Sequence, residues 1–119
     1  MRLVNEIARV LAKILFKIDS EKVSEELKSK IEETDMLEQL LDMVDNGQIN
    51  EAENKLYDML DAGTSNCIET AILFYSYLNE KSDIFLKEND YSRGEVKEGI
   101  EDVAERVGLN GLINTLFIE

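Results

Sequence analysis

The stretch RLVNEIARVLAKILFKI, residues 2–18, decides the fold class. At about 100° per residue, Leu3, Val4, Ile7, Val10, Leu11, Ile14, Leu15 and Ile18 fall within one arc of about 140°. Arg2, Glu6, Arg9, Lys13 and Lys17 share the opposite face, and Phe16 points among them. This is an amphipathic helix that must cover its apolar side. One cover is the chain's own core, with Phe74 and the apolar tail. The other is a second copy of the chain. Leu3, Ile7, Val10, Ile14 and Lys17 repeat at spacings of 4 and 3, which suits a helix–helix seam. Leu3, Ile7, Val10, Leu11 and Ile14 are therefore the candidate interface residues, and a homodimer is the candidate assembly.

Outward from this helix the same period recurs. Residues 20–33 are acidic with a thin stripe at Val23, Leu27 and Ile31. Asp35 with Glu38 reads as a capping box ahead of Leu37, Leu40, Leu41 and Val44, and Asn46-Gly47 stops that helix. Asn50 is the expected cap of the next, with Ala52, Leu56, Met59 and Leu60 as its stripe and Gly63 at its end. Thr64-Ser65 opens a longer helix through Asn79, and Ile68, Ala71, Ile72, Phe74, Tyr75 and Leu78 make it central. Ser82 starts a short piece that Asn89-Asp90 breaks. Ser92 and Glu95 form a full capping box before Val96, Ile100, Val103 and Val107, and Gly108 follows. The tail, with Leu112, Ile113, Leu116, Phe117 and Ile118, is expected to dock on the core. No stretch alternates with period 2, and the chain has no proline, so no sheet is expected.

The 119 residues make one domain, 1–119. Within it lie the basic amphipathic helix 2–18, a helical hairpin core over 35–107 and an apolar segment over 109–119. The expected architecture is all-α, a compact array of five to seven antiparallel helices.

The run from Leu40 to Ala52, with Leu56 and Met59, resembles a tetratricopeptide hairpin: Gly47 ends the first helix, Ala52 allows close packing and Leu56 follows four positions on. The aromatic and Leu-Gly positions of that motif are held here by Met36, Gln39 and Leu40, and the closing proline and a 34-residue repeat are absent. The resemblance implies tetratricopeptide-like hairpins in the middle of the fold. More broadly, the basic opening helix with Ala8-Arg9-Val10-Leu11-Ala12-Lys13-Ile14-Leu15-Phe16, then an acidic segment, then such hairpins, resembles a family of uncharacterised short bacterial all-helical proteins. That resemblance implies a fold and no chemistry.

Residues 42–53 carry a rival pattern. Aligned to the twelve-residue EF-hand loop, Asp42, Asn46 and Glu53 stand at positions 1, 5 and 12 with Gly47 at 6. Position 3 is Val44, which brings no oxygen and fits the core stripe instead. Asp42, Asn46 and Glu53 stay as the alternative metal set, for calcium or another cation, beside a main reading with no metal.

Catalysis finds little support. There is no histidine, so the usual triads, zinc sites and imidazole bases are missing, and no Gly-rich phosphate loop occurs. No catalytic residue and no cofactor are expected. Tyr57, Tyr75, Tyr77 and Tyr91 read as residues at the core edge. Cys67 stands alone, so no intrachain disulfide forms and a cytoplasmic setting is expected.

The net charge is −13, divided as +3 over residues 1–18 and −16 over the rest. So acidic a body repels phosphate backbones, and nucleic acid is not an expected partner. Charges interrupt the apolar positions of 3–18, so neither a secretory signal nor a membrane span is expected. Membrane attachment through helix 2–18 remains a lesser alternative. The function expected is that of a non-enzymatic protein–protein interaction module with a protein or peptide partner, itself included.

Overall fold

The chain is described from a computed structural model over residues 2–117, so the expected docking of Ile118 lies outside the described residues. Eight helices follow one another: α1 (Arg2–Phe16), α2 (Val23–Ser29), α3 (Asp35–Asp45), α4 (Ile49–Ala62), α5 (Cys67–Glu80), α6 (Asp83–Glu88), α7 (Arg93–Arg106) and α8 (Asn110–Leu116). No strand occurs among the described residues. The count exceeds the expected five to seven because the apolar tail is itself a helix.

The central position expected for the 64–79 segment is confirmed. α5 packs against α1, α2, α3, α4 and α7. It buries Thr70, Ala71, Ile72, Leu73, Phe74, Tyr75, Leu78 and Asn79, so its buried residues run almost all the way round. α1 lies on α5 and α7, α3 pairs with α4, and α8 leans on α7. The radius of gyration, 13.4 Å, is what close packing of a chain this long gives.

Helix ends match the sequence pattern where glycine or serine makes them. Gly47, Gly63 and Gly108 all have positive φ and close helices α3, α4 and α7. At Gly47 the Gly47 N–H donates to Val44 O (2.9 Å) and the Gln48 N–H to Met43 O (2.8 Å). Ser82 and Ser92 cap α6 and α7, accepting from the N–H groups of Phe85 and Glu95. Four other expected boundaries are corrected. α1 ends at Phe16, not 18. α3 has no Asp35 side-chain cap, since Asp35 is already its first helical residue. α4 begins at Ile49, so Asn50 cannot cap it; its amide instead donates to Asp90 O at 3.2 Å. α5 begins at Cys67 behind Asn66, whose side chain reaches Lys30 O and Glu69 and ties the start of α5 to the end of α2.

Lys17 explains the early end of α1. It sits at φ 59°, in the left-handed region, with its N–H on Lys13 O (3.0 Å), and turns the buried Ile18 back onto the core. A side chain there costs about 1–2 kcal/mol, and glycine's greater freedom in the unfolded chain returns part of that. Lys17→Gly is expected to raise stability by about 0.5–1 kcal/mol in a urea titration; a loss of stability would mean that the lysine side chain makes a contact worth more than its strain.

Arg93 closes the other end of α5. Its guanidinium donates to Asn79 O (2.8 Å) and Lys81 O (2.7 Å) and pairs with Asp83 (2.8 Å). The first residue of α7 thereby satisfies carbonyls at the end of α5.

Candidate interaction surfaces

The five candidate interface residues of α1 divide. Ile7 and Leu11 are fully buried in the domain's own core, and Leu3 and Val10 are partly covered. Only Ile14 is exposed, at 45%. The reason is a roll of the helix. α1 buries Val4, Ile7, Ala8, Leu11 and Ala12, so its seat is centred toward Ala8 and Ala12, where small side chains let neighbours approach closely. The opposite edge of the apolar arc, at Leu3, Val10 and Ile14, is left thinly covered. In the single chain the centre of the α1 seam, Ile7 and Leu11, lies in the domain's own core. Among the described residues, no helix is long and apolar enough to cross a membrane.

The alternative calcium segment is helix, turn, helix. Asp42 is exposed on α3, Asn46 follows that helix, Val44 is fully buried, and Glu53 stands on α4. An extended EF-hand loop has no room between helices ending at Asp45 and starting at Ile49. No group of three or more acidic or sulfur ligands able to hold a metal occurs among the described residues.

Glu53 has another set of partners. Its Oε2 accepts hydrogen bonds from Tyr75 Oη (2.6 Å), Tyr91 Oη (2.9 Å) and Tyr57 Oη (3.4 Å). Tyr75 and Tyr91 are buried. One carboxylate thus joins α4, α5 and the segment between α6 and α7. Burial, then the charge of Glu53, pushes both phenols far above their ordinary range. Burial does the same more mildly to Tyr57. Upward shifts keep these hydroxyls protonated as donors, the opposite of what a phenolate base or nucleophile requires. The sequence reading placed the tyrosines at the core edge; Tyr75 and Tyr91 lie inside. The Glu53–Tyr57 pair, four apart on one helix, was visible in sequence, but Tyr75 and Tyr91 join it only through the tertiary fold.

Three of the surface hollows differ in what they could receive. One of about 550 Å³ lies where α1, α2 and α5 meet, but Arg2, Arg9 and Lys22 alternate there with Glu6, Glu21, Glu25 and Glu80, and its apolar lining residues are Ala8 and Val23. A second of the same volume, beside Met36 and Met59, is walled by Gln39, Thr64, Ser65, Asn66 and Thr70. The third, about 250 Å³, runs between α2, α3 and α5. Its floor is Leu37 and Leu41 of α3 with Leu73 and Tyr77 of α5, and Glu25, Glu38, Glu80 and Lys28 stand around it.

The Tyr77 wall is fixed from behind. Its hydroxyl donates to Asp45 (2.7 Å to Oδ1), and Lys81 Nζ donates to the same oxygen at 2.7 Å while lying 4.6 Å from the Tyr77 ring centre. The Lys81 and Tyr77 hydrogen bonds hold the Asp45 carboxyl below its usual range. The same pairing raises Lys81. The Tyr77 side of the hollow is therefore set by contacts within the chain.

No curated protein and no solved structure matches the chain. Residues 1–108, from α1 through the Gly108 turn, match the model of a family of unknown function, DUF6483, and the chain belongs to that family.

Proposed function

We propose that this protein is a non-enzymatic helical interaction module that holds a partner helix in the groove between α2, α3 and α5. One observation carries the reading: half-buried Leu41 and Tyr77, over buried Leu37 and Leu73, line an apolar hollow, with one wall locked by Asp45 and Lys81. Helix-in-groove recognition uses such a floor, with large side chains at i and i+4 entering it. A tetratricopeptide-like character of the α3–α4 hairpin agrees with this use. Gly47 makes its turn at φ 82°, and Ala52 and Leu56 are fully buried in the pair. The lone cysteine, Cys67, suits a reducing, cytoplasmic setting.

The test is a displayed library of helical peptides selected on the full chain. Enriched peptides are expected to share apolar residues spaced i, i+4 and to lose at least about tenfold in affinity against Leu41→Lys, a change at a half-buried position. Peptides indifferent to Leu41→Lys, or no enrichment, would sink the groove reading.

Self-association is a second reading, favoured by exposed Ile14 on α1 and by Leu112 and Leu116 on α8, at 40% and 55%. It no longer uses Ile7 or Leu11. Sedimentation at high micromolar concentration should then show a dimer that Leu116→Lys disperses; a wild-type monomer would dismiss it.

A further inference from the structure

Resting on the groove reading above, we infer that the partner is a basic amphipathic helix, with large aliphatic side chains on one face and lysine or arginine beside them. The floor alone does not choose a partner; the rim does. Glu25, Glu38 and Glu80 stand around the groove beside Lys28, and none of these four takes part in an ion pair among the described residues; Glu25 and Glu80 also face Arg2, Arg9 and Lys22 across the adjoining hollow. Lys81 is committed to Asp45 at 2.7 Å and lies against the Tyr77 and Phe85 rings. An acidic helix entering the groove would meet three carboxylates against one lysine. A basic one would satisfy them at the rim, in water, where charge sets specificity and encounter rate more than affinity. The chain's net charge of −13 works in the same direction at longer range, drawing cations from beyond the groove. Size agrees as well. A hollow of about 250 Å³ lies below the range typical of small-molecule and cofactor pockets and suits a few aliphatic side chains. A second copy's α1, basic at Arg9 and Lys13 beside exposed Ile14, carries some of this chemistry, but the two bodies would meet with like charge.

The test uses three synthetic probes titrated into the full chain at fixed ionic strength. Two are designed helices with identical leucine stripes, one with lysine and one with glutamine on the remaining face. The third is a peptide of this chain's residues 2–18. The lysine helix is expected to bind about tenfold more tightly than the glutamine helix. That difference should vanish in Glu38→Gln/Glu80→Gln, two exposed positions where substitution leaves the core untouched. Leu41→Lys should abolish binding of both designed helices, with circular dichroism confirming that the variant is folded. Equal binding of the two designed helices would overturn the basic partner while leaving the groove in place. Binding of neither would remove the groove reading itself. Lysine-helix binding that survives Leu41→Lys would reduce the effect to diffuse attraction and overturn the inference. Sedimentation of the full chain as a dimer that Leu41→Lys disperses, together with tighter binding of the residue 2–18 peptide than of the lysine helix, would overturn a separate partner in favour of a second copy.

Discussion

Gly99→Ala is expected to destabilise the protein by about 3 kcal/mol, at the upper end of what overpacking costs. Gly99 is buried in the middle of α7, with no special φ to explain it. Its reason is Tyr75. A Cβ built on Gly99 would stand 2.7 Å from Tyr75 Cδ1 and closer still to Cε1 and Cζ, so the methyl group would fall inside the ring. The absence of a side chain lets α7 lie against the ring, and α5 and α7 form the most extensive helix pair among the described residues. The ring cannot step aside cheaply, because Tyr75 is fully buried and its hydroxyl is tied to Glu53 at 2.6 Å. Alanine is the better helix former by about 1 kcal/mol, so on local propensity the change should stabilise. The clash with the ring opposes that gain and outweighs it. Thermal unfolding by circular dichroism should show a fall of roughly 10 °C for a domain of this size. The double variant Gly99→Ala/Tyr75→Leu should lose less than the sum of the two single changes, because the leucine leaves room for the methyl group. An unchanged or raised melting temperature in Gly99→Ala would place the α5–α7 contact elsewhere.

Gly99 also marks the limit of what periodicity makes legible. Read alone, a glycine within Arg93–Arg106 only weakens a helix; its partner lies 24 positions earlier, and no pattern links the two. Ser92 and Gly108, at the ends of the same helix, were legible because capping and left-handed turns are local chemistry. Where a boundary depended on a distant contact, local reading failed. Asn50 looks like a cap until its amide is seen on Asp90 O, and Asn66 becomes a helix start through its reach to Lys30. The apolar arc of α1 was legible, but the direction of its roll was not. That depends on Ala8 and Ala12, two small residues at the arc's margin, which decide how closely α1 can approach its neighbours. The groove shows the same division. Leu37 and Leu41 appear in the α3 stripe, yet their meeting with Leu73 and Tyr77 of α5 is a property of helix packing.

Alkaline titration is expected to unfold the protein steeply above pH 10. The sign follows from the phenols. Tyr75 and Tyr91 have pKa values raised in the folded state, first by burial and then by Glu53, whereas in the unfolded chain they ionise near 10. Below that pH both states are protonated and the folded state keeps the full contribution of these hydrogen bonds. Above it the unfolded chain releases protons that the folded chain retains, and stability falls. Each phenol held protonated costs about 1.4 kcal/mol per pH unit, so the pair costs about 2.7 kcal/mol per unit, or about 5 kcal/mol between pH 10 and 12. That equals the whole stability of many domains of this size. Lys81, raised by its bond to Asp45, adds to the loss in the same direction. The measurement is direct because the chain has four tyrosines and no tryptophan. Tyrosinate absorbance and helical circular dichroism followed together should show Tyr75 and Tyr91 ionising only as the helices melt. Tyr91→Phe removes one titrating group, so the slope of stability against pH should fall by about half, even though the variant starts lower at neutral pH for want of its hydrogen bond. Glu53→Gln keeps an acceptor at the same place and removes the charge, so ionisation should begin at lower pH than in the wild type. All four tyrosines ionising near pH 10 with the helices intact would mean that Glu53 and its phenols are open to water, and the carboxylate would then no longer join α4, α5 and the α6–α7 segment.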